Sequence, residues 1–328
     1  MKSEVEPACK ESPPVSTSSS RFSPIQYWQR GLFWALISPL FLGTIPILAK
    51  LAYAAGVDVL TVVALRTLFA AFILWTAVLL FKRDFIISSS PAVISSFVAG
   101  GINGIGSLFF YASLTRIDAS LGQLVNITYL IFVTVLLRLA GHAISWLTFF
   151  RTGLAIIGIY ILTQGGLGTP DWLGVGMMAV AALMYAIQLV LSQRILLDIP
   201  APTMALYAMT AMAVVVTIAW LTNPSDVTAV PTAGWYAILL MGLTTGLSRL
   251  TLFLGVKHLG SIQTALLGIL EVVVSITLAI IFLGEHFTAI QWSGAAVLLT
   301  SVLLVRYERD VPRFIDWWKL IWQARLHR

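Results

Sequence analysis

Of the 14 carboxylates in this chain, six lie in the two tails and seven in loops or at the ends of apolar runs; only Glu271 lies deep inside one, GILEVVVSITLAIIFL. An ionised carboxylate at bilayer depth costs about 2.5–3.5 kcal/mol even on the lenient insertion scale, so such a group carries a proton or finds a partner. Arg249 stands about ten residues before the turn near Leu259 and Gly260, and Glu271 about eleven after it. At 1.5 Å per residue both fall roughly 16 Å from the same face. They can meet across an antiparallel helix pair, as a buried ion pair that fixes register. They can equally face a pathway, Arg249 binding an anionic group and Glu271 binding a cation or carrying a coupling proton.

Other groups fall near the same depth. Arg66, about seven residues into its run, either snorkels to an interface or turns inward, while Lys50 and Arg151 are expected to snorkel. Uncharged polar residues gather as Asn103, Ser107 and Tyr111, as Gln123, Asn126 and Tyr129, as Tyr185 and Gln188, and as Thr244, Thr245 and Ser248. Singly, such residues are ordinary interhelical hydrogen-bonding groups worth about 0.6 kcal/mol. Together they favour a polar central cavity, and Tyr111, Tyr129, Tyr185 and Trp34 make up the weakly polar, aromatic lining usual for a small-molecule site. Gly100, Gly101, Gly104 and Gly106 read as packing residues, and Pro39 and Pro46 as bends that free backbone carbonyls.

Catalytic chemistry finds little support. The four histidines (His142, His258, His286, His327) lie at run ends or in the tail, and no HExxH, GxSxG or paired intramembrane aspartate occurs. The single cysteine, Cys9, allows neither an intrachain disulfide nor a cysteine-based metal site. No catalytic residue, metal or cofactor is expected, apart from H+ as a coupling ion.

The elements that must position these residues follow from composition. With 59% hydrophobic and 10% charged residues and a mean hydropathy of +0.92, the chain lacks the charge of a water-soluble surface. About 20 apolar residues span the hydrocarbon as a helix, and ten such runs occur. They extend approximately over 32–53, 59–81, 92–114, 121–139 and 146–163, then over 173–195, 203–221, 235–253, 262–283 and 289–305. They are too long and too continuously apolar for barrel strands. Trp146, Trp172, Trp220, Trp235 and Trp292 fall at run ends, as interface anchors do.

Residues 1–29 read as a disordered tail rich in Ser, Pro and Glu, without a signal-peptide pattern. Residues 30–165 and 172–306 form two five-helix units, and residues 307–328 an amphipathic surface helix with Phe314, Trp318 and Trp322 on its apolar face. The net charge of +6 comes from cations at run ends and in the last 23 residues, not from a nucleic-acid groove. Lys2, Lys10, Arg21, Arg30, Lys82, Arg83, Arg138, Arg194, Lys257 and the tail cations collect on one side; Arg116 and Lys50 fall opposite. By the positive-inside rule both tails are expected to be cytoplasmic.

The two units correspond at an offset of 142 residues, which pairs Gly100 and Gly104 with Gly242 and Gly246, Tyr111 with Phe253 and Arg116 with His258. Five spans is an odd number, so the second copy enters the membrane in the opposite direction. Inverted repeats of this kind place a substrate site near the midplane between the halves.

YASLTRIDASLG, FLGVKHLGSIQTA, the Leu65 and Arg66 pair and GILEVVVSITLAIIFLGEHF, set in two five-span halves over residues 31–306, resemble the EamA-type branch of the drug/metabolite transporter superfamily. The resemblance implies an all-α membrane protein of ten helices with both termini in the cytoplasm, exporting amino acids, metabolites or drugs from the cell. It raises the importance of Glu271. The expectation is therefore a secondary-active transporter in the plasma membrane, partnered by a small molecule and lipid rather than nucleic acid. A passive channel would show a repeated filter or charged ring, and an intramembrane enzyme a catalytic constellation. Neither appears.

Overall fold

A computed structural model of the chain describes residues 24–81, 83–86, 90–139, 146–165, 171–259 and 268–304, with backbone alone for residues 24–35, 138, 148, 229, 258 and 259. Residues 1–23 of the expected disordered tail, the C-terminal surface helix, the Lys82 and Arg138 side chains, and His142 and His327 lie outside the described residues. The last six residues of that tail, 24–29, are instead helical and open α1, where Ile25, Tyr27 and Trp28 replace the Ser- and Pro-rich composition before them.

Every described element is helical, one of the two ways in which a chain in lipid satisfies its backbone groups without water. The first unit comprises α1 (Pro24–Ala54), α2 (Val59–Phe81), α3 (Ser90–Ser113), α4 (Ala119–Asn126), α5 (Tyr129–Leu139) and α6 (Trp146–Gln164). The second comprises α7 (Trp172–Asp198), α8 (Ala201–Leu221), α9 (Thr232–Leu259), α10 (Gly268–Leu278) and α11 (Ala289–Leu303). Seven spans among the described residues are long and apolar enough to cross a membrane, with α4 and α5 counted as one; the fifth, ninth and tenth runs appear as shorter apolar helices.

Packing between the units is reciprocal. α1 packs on α9 and α10, and its counterpart α7 packs on α3 and on the α4 and α5 pair. α2 packs on α9 as α8 packs on α3, α2 meets α8, and α6 meets α11. The small residues singled out by the repeat sit at the matching contacts. A Cβ at Gly100 would overlap the Ala208 backbone of α8, and one at Gly242 would come within 3.0 Å of the Arg66 carbonyl of α2.

Two local departures bear on the site. The fourth run, expected as one helix, tightens at Ile127 and Thr128, where Leu130 and Ile131 amides donate three residues back to Ile127 and Thr128 carbonyls. Asn126 thus ends α4 and Tyr129 begins α5. The ninth run leaves α10 through one π-type turn, Ala279–Leu283, closed by Gly284 in the left-handed region at φ +65°. That reversal brings Glu285 back toward the start of α4.

One expectation about charge is corrected. Arg151 does not snorkel: it is fully buried between α6 and α11, its Nε donating to the Ser301 carbonyl at 3.3 Å while the Ser301 hydroxyl donates to the Arg151 carbonyl at 2.8 Å. Among the expected interface tryptophans, Trp146, Trp172 and Trp292 are exposed, but Trp220 is half-buried and donates to the Thr61 hydroxyl of α2 at 3.1 Å.

Candidate functional site

A cavity of about 70 Å³ lies where the two units meet. It has room for a few waters, well below the roughly 300 Å³ of an ordinary small-molecule site. Seven of the ten candidate residues line it: Arg66, Asn103, Tyr111, Asn126, Tyr185, Arg249 and Glu271. They come from α2, α3, α4, α7, α9 and α10, and so from both units. α1 contributes Leu42 and Ile45, on the turn where Pro46 leaves the Leu42 carbonyl without its helical donor.

Two further candidates stand just behind this lining. Gln188 accepts a hydrogen bond from Arg249 at 3.3 Å and, with Asn103 and Arg249, also borders a smaller void lined by Met209 and Met212 of α8. Tyr129 packs edge-on against Tyr185, with ring centroids 4.8 Å apart. Its hydroxyl lies over Gly268, where a Cβ would overlap it, so a residue without a side chain is needed in the first turn of α10. Trp34 lies in α1, and its side chain is outside the described residues.

Glu271 and Arg249 face the same cavity without forming an ion pair. Among the described residues the one side-chain ion pair within 4.0 Å is Arg116 with Asp171, at 3.1 Å on the surface. Glu271 accepts from the Gln123 side-chain amide at 2.5 Å, and Arg249 turns to Gln188 and to the Tyr185 ring, 5.5 Å from its guanidinium carbon. Arg66 is 2% exposed: it turns inward, donates to the Thr245 hydroxyl at 3.1 Å, and lies 4.3 Å over the Tyr111 ring.

A second polar group closes one end of the bundle. The Glu285 carboxylate accepts from the Ala119 and Ser120 amides at 2.8 and 3.0 Å, capping α4 from the other unit. Asp118 lies beside it. Burial pushes the Asp118 carboxyl up from its ordinary value, the Glu285 charge adds to this, and the Lys50 ammonium opposes it. Nearby, the Tyr53 hydroxyl donates to the Tyr111 carbonyl at 3.1 Å, joining the ends of α1 and α3. No feature of the sequence pairs Glu285 with α4. Gln123 was legible as one of the buried polar groups, but not as the donor to Glu271.

The described residues hold no cluster of three or more His, Cys, Asp or Glu side chains able to ligate a metal. The arrangement is that of an all-helical membrane protein whose two homologous halves enclose a charged and aromatic cavity. Residues 29–164 and 172–307 each match the model of the EamA-like transporter family, and the chain belongs to that family. A crystal structure of a protein 16% identical in sequence has the same fold, with a TM-score of 0.62 over 84% of this chain and 96% of the other. No match was found among curated proteins.

Proposed function

We propose that the chain is a secondary-active transporter that moves a small metabolite, amino acid-like or drug-like, through the central cavity by alternating access. Ten spans form two inverted five-helix repeats in the plasma membrane, with both termini cytoplasmic and net movement outward. The single observation that carries this reading is the convergence of seven polar, charged or aromatic side chains from both family repeats on one cavity at their interface. The reciprocal packing of α1 with α9 and of α7 with α3 supports a two-fold relation between the halves, and rocking of one against the other opens the cavity to alternate sides.

Glu271 is the proton carrier in this account. It is 5% exposed, and among the described residues its hydrogen-bonding partner is a neutral amide rather than a cation. A carboxylate so placed is suited to exchange a proton with the solvent as the cavity opens to either side.

The test is efflux from proteoliposomes containing the purified full chain, screened against amino acids, nucleobases and cationic drugs with and without an imposed pH gradient. Saturable flux that the gradient drives is expected. Equal, unsaturable flux into empty and loaded vesicles contradicts alternating access.

A further inference from the structure

The cavity holds more positive charge than a protein interior retains without a purpose. Arg66 and Arg249 both line it, and neither has a carboxylate within 4.0 Å among the described residues. Isolated buried cations are ordinarily paired. Here each guanidinium has one neutral acceptor, Thr245 or Gln188, and lies over one tyrosine ring. The Nε of each is buried without a protein acceptor, and so is the hydroxyl of Tyr111, a residue 2% exposed at the cavity wall. Three donors around one small cavity therefore have hydrogen-bonding capacity to spare.

From this geometry we infer that Arg66 and Arg249 together seat the carboxylate of a small organic monoanion, with Tyr111 as a third donor. The planar fork of a guanidinium matches the two oxygens of a carboxylate, and its cation–π contact with a tyrosine ring helps to hold it at the cavity before the ligand arrives. Leu42, Ile45, Phe110 and Ala181 supply the apolar part of the wall, beside the polar side chains of Asn103, Ser107 and Asn126, so the body of the ligand is mainly apolar or aromatic.

Charge decides between the ligands that fit such a seat. Two arginines and an ionised Glu271 leave the cavity at +1, which a monocarboxylate neutralises. A phosphate dianion overshoots that balance and meets Glu271 with more repulsion. An amine adds to the positive charge, and an amino acid leaves it uncompensated. The Gln123 amide, by holding Glu271, keeps that carboxylate out of a direct ion pair with either guanidinium, so both forks stay open to a ligand.

This inference rests on the central cavity being the substrate site, and binding measured apart from flux separates the two. The purified full chain in detergent is titrated with carboxylates of two to six carbons and with benzoate, benzamide, benzylamine, phenyl phosphate and phenylalanine, following the thermal midpoint and tryptophan fluorescence. Benzoate or an aliphatic carboxylate is expected to raise the midpoint, with affinity at least tenfold above that for the matched amide, amine, phosphate or amino acid. Arg66→Gln and Arg249→Gln are each expected to weaken carboxylate binding at least tenfold, and Arg249→Lys to restore only part of it because the fork is lost. Failure of every carboxylate to bind overturns the inference, as does amine, amide or phosphate binding as tight as that of the carboxylate. These comparisons on the unaltered protein stand even if an arginine variant does not fold. Carboxylate binding without flux in loaded vesicles leaves the seat intact and contradicts transport; flux of amines without carboxylate binding does the reverse.

Discussion

The Gln123 amide donates to the Glu271 carboxylate across 2.5 Å, tying α4 of the first unit to α10 of the second at the wall of the cavity. This bond, rather than an ion pair with Arg249, is what holds the buried acid. Gln123→Leu leaves Glu271 without its described donor and is expected to destabilise the protein by about 1–3 kcal/mol, the usual penalty for stranding a buried polar group. The double variant Gln123→Leu with Glu271→Leu is expected to lose less than that single variant, because no polar group is then stranded. Thermal unfolding in detergent checks both. A double variant less stable than Gln123→Leu contradicts the assignment.

Glu285 caps a helix in the opposite unit. Its charge sits at the positive end of α4, accepting two amides that have no intrahelical partner. Glu285→Ala is expected to lower stability by about 0.5–2 kcal/mol and to speed hydrogen exchange at Ala119 and Ser120. Unchanged exchange at those amides shows that the cap is not held in solution.

Asp58 ties the turn between α1 and α2 to the loop after α8. Its carboxylate accepts from the Thr61 amide at 3.0 Å, the Thr61 hydroxyl at 2.9 Å and the Ser225 hydroxyl at 3.2 Å. Partial burial opposes its ionisation, but these hydrogen bonds outweigh burial and hold the carboxyl below its usual value of 3.8. A lowered acid stabilises the fold above its unfolded value and loses that contribution as pH falls through the folded one. Asp58→Ala should therefore cost about 1 kcal/mol at pH 7, and the difference from the unaltered protein should shrink as the pH drops below 3.8. Melting curves across that range check it, and a difference that grows on acidification contradicts it.

Much of the cavity was legible in the sequence because charge and amide groups are rare in apolar runs. Arg66, Asn103, Asn126, Arg249 and Glu271 stood out on that ground alone, and depth counted from the turns placed Arg249 and Glu271 at one level. Direction around a helix was not legible. The sequence offers Arg151 an apolar run of ordinary length, in which snorkelling and burial against Ser301 look alike until α11 is packed on α6. The tight turn at Ile127 and Thr128 carries no Gly or Pro to announce it, and the π-type turn at 279–283 is written in AIIFL, which reads as plain helix. Glu285 had the look of a loop acid because its partners are backbone amides 165 and 166 residues away, which no side-chain pattern records.

The most direct test of the account is proton-driven efflux by Glu271→Gln in proteoliposomes, beside the unaltered protein and with the orientation of the inserted chain controlled. Glutamine keeps the size and an acceptor for Gln123 but cannot carry a proton. Loss of gradient-driven efflux of at least tenfold, with exchange of substrate between loaded vesicles retained, is the result predicted. Gradient-driven efflux at the unaltered rate would contradict the role given to Glu271.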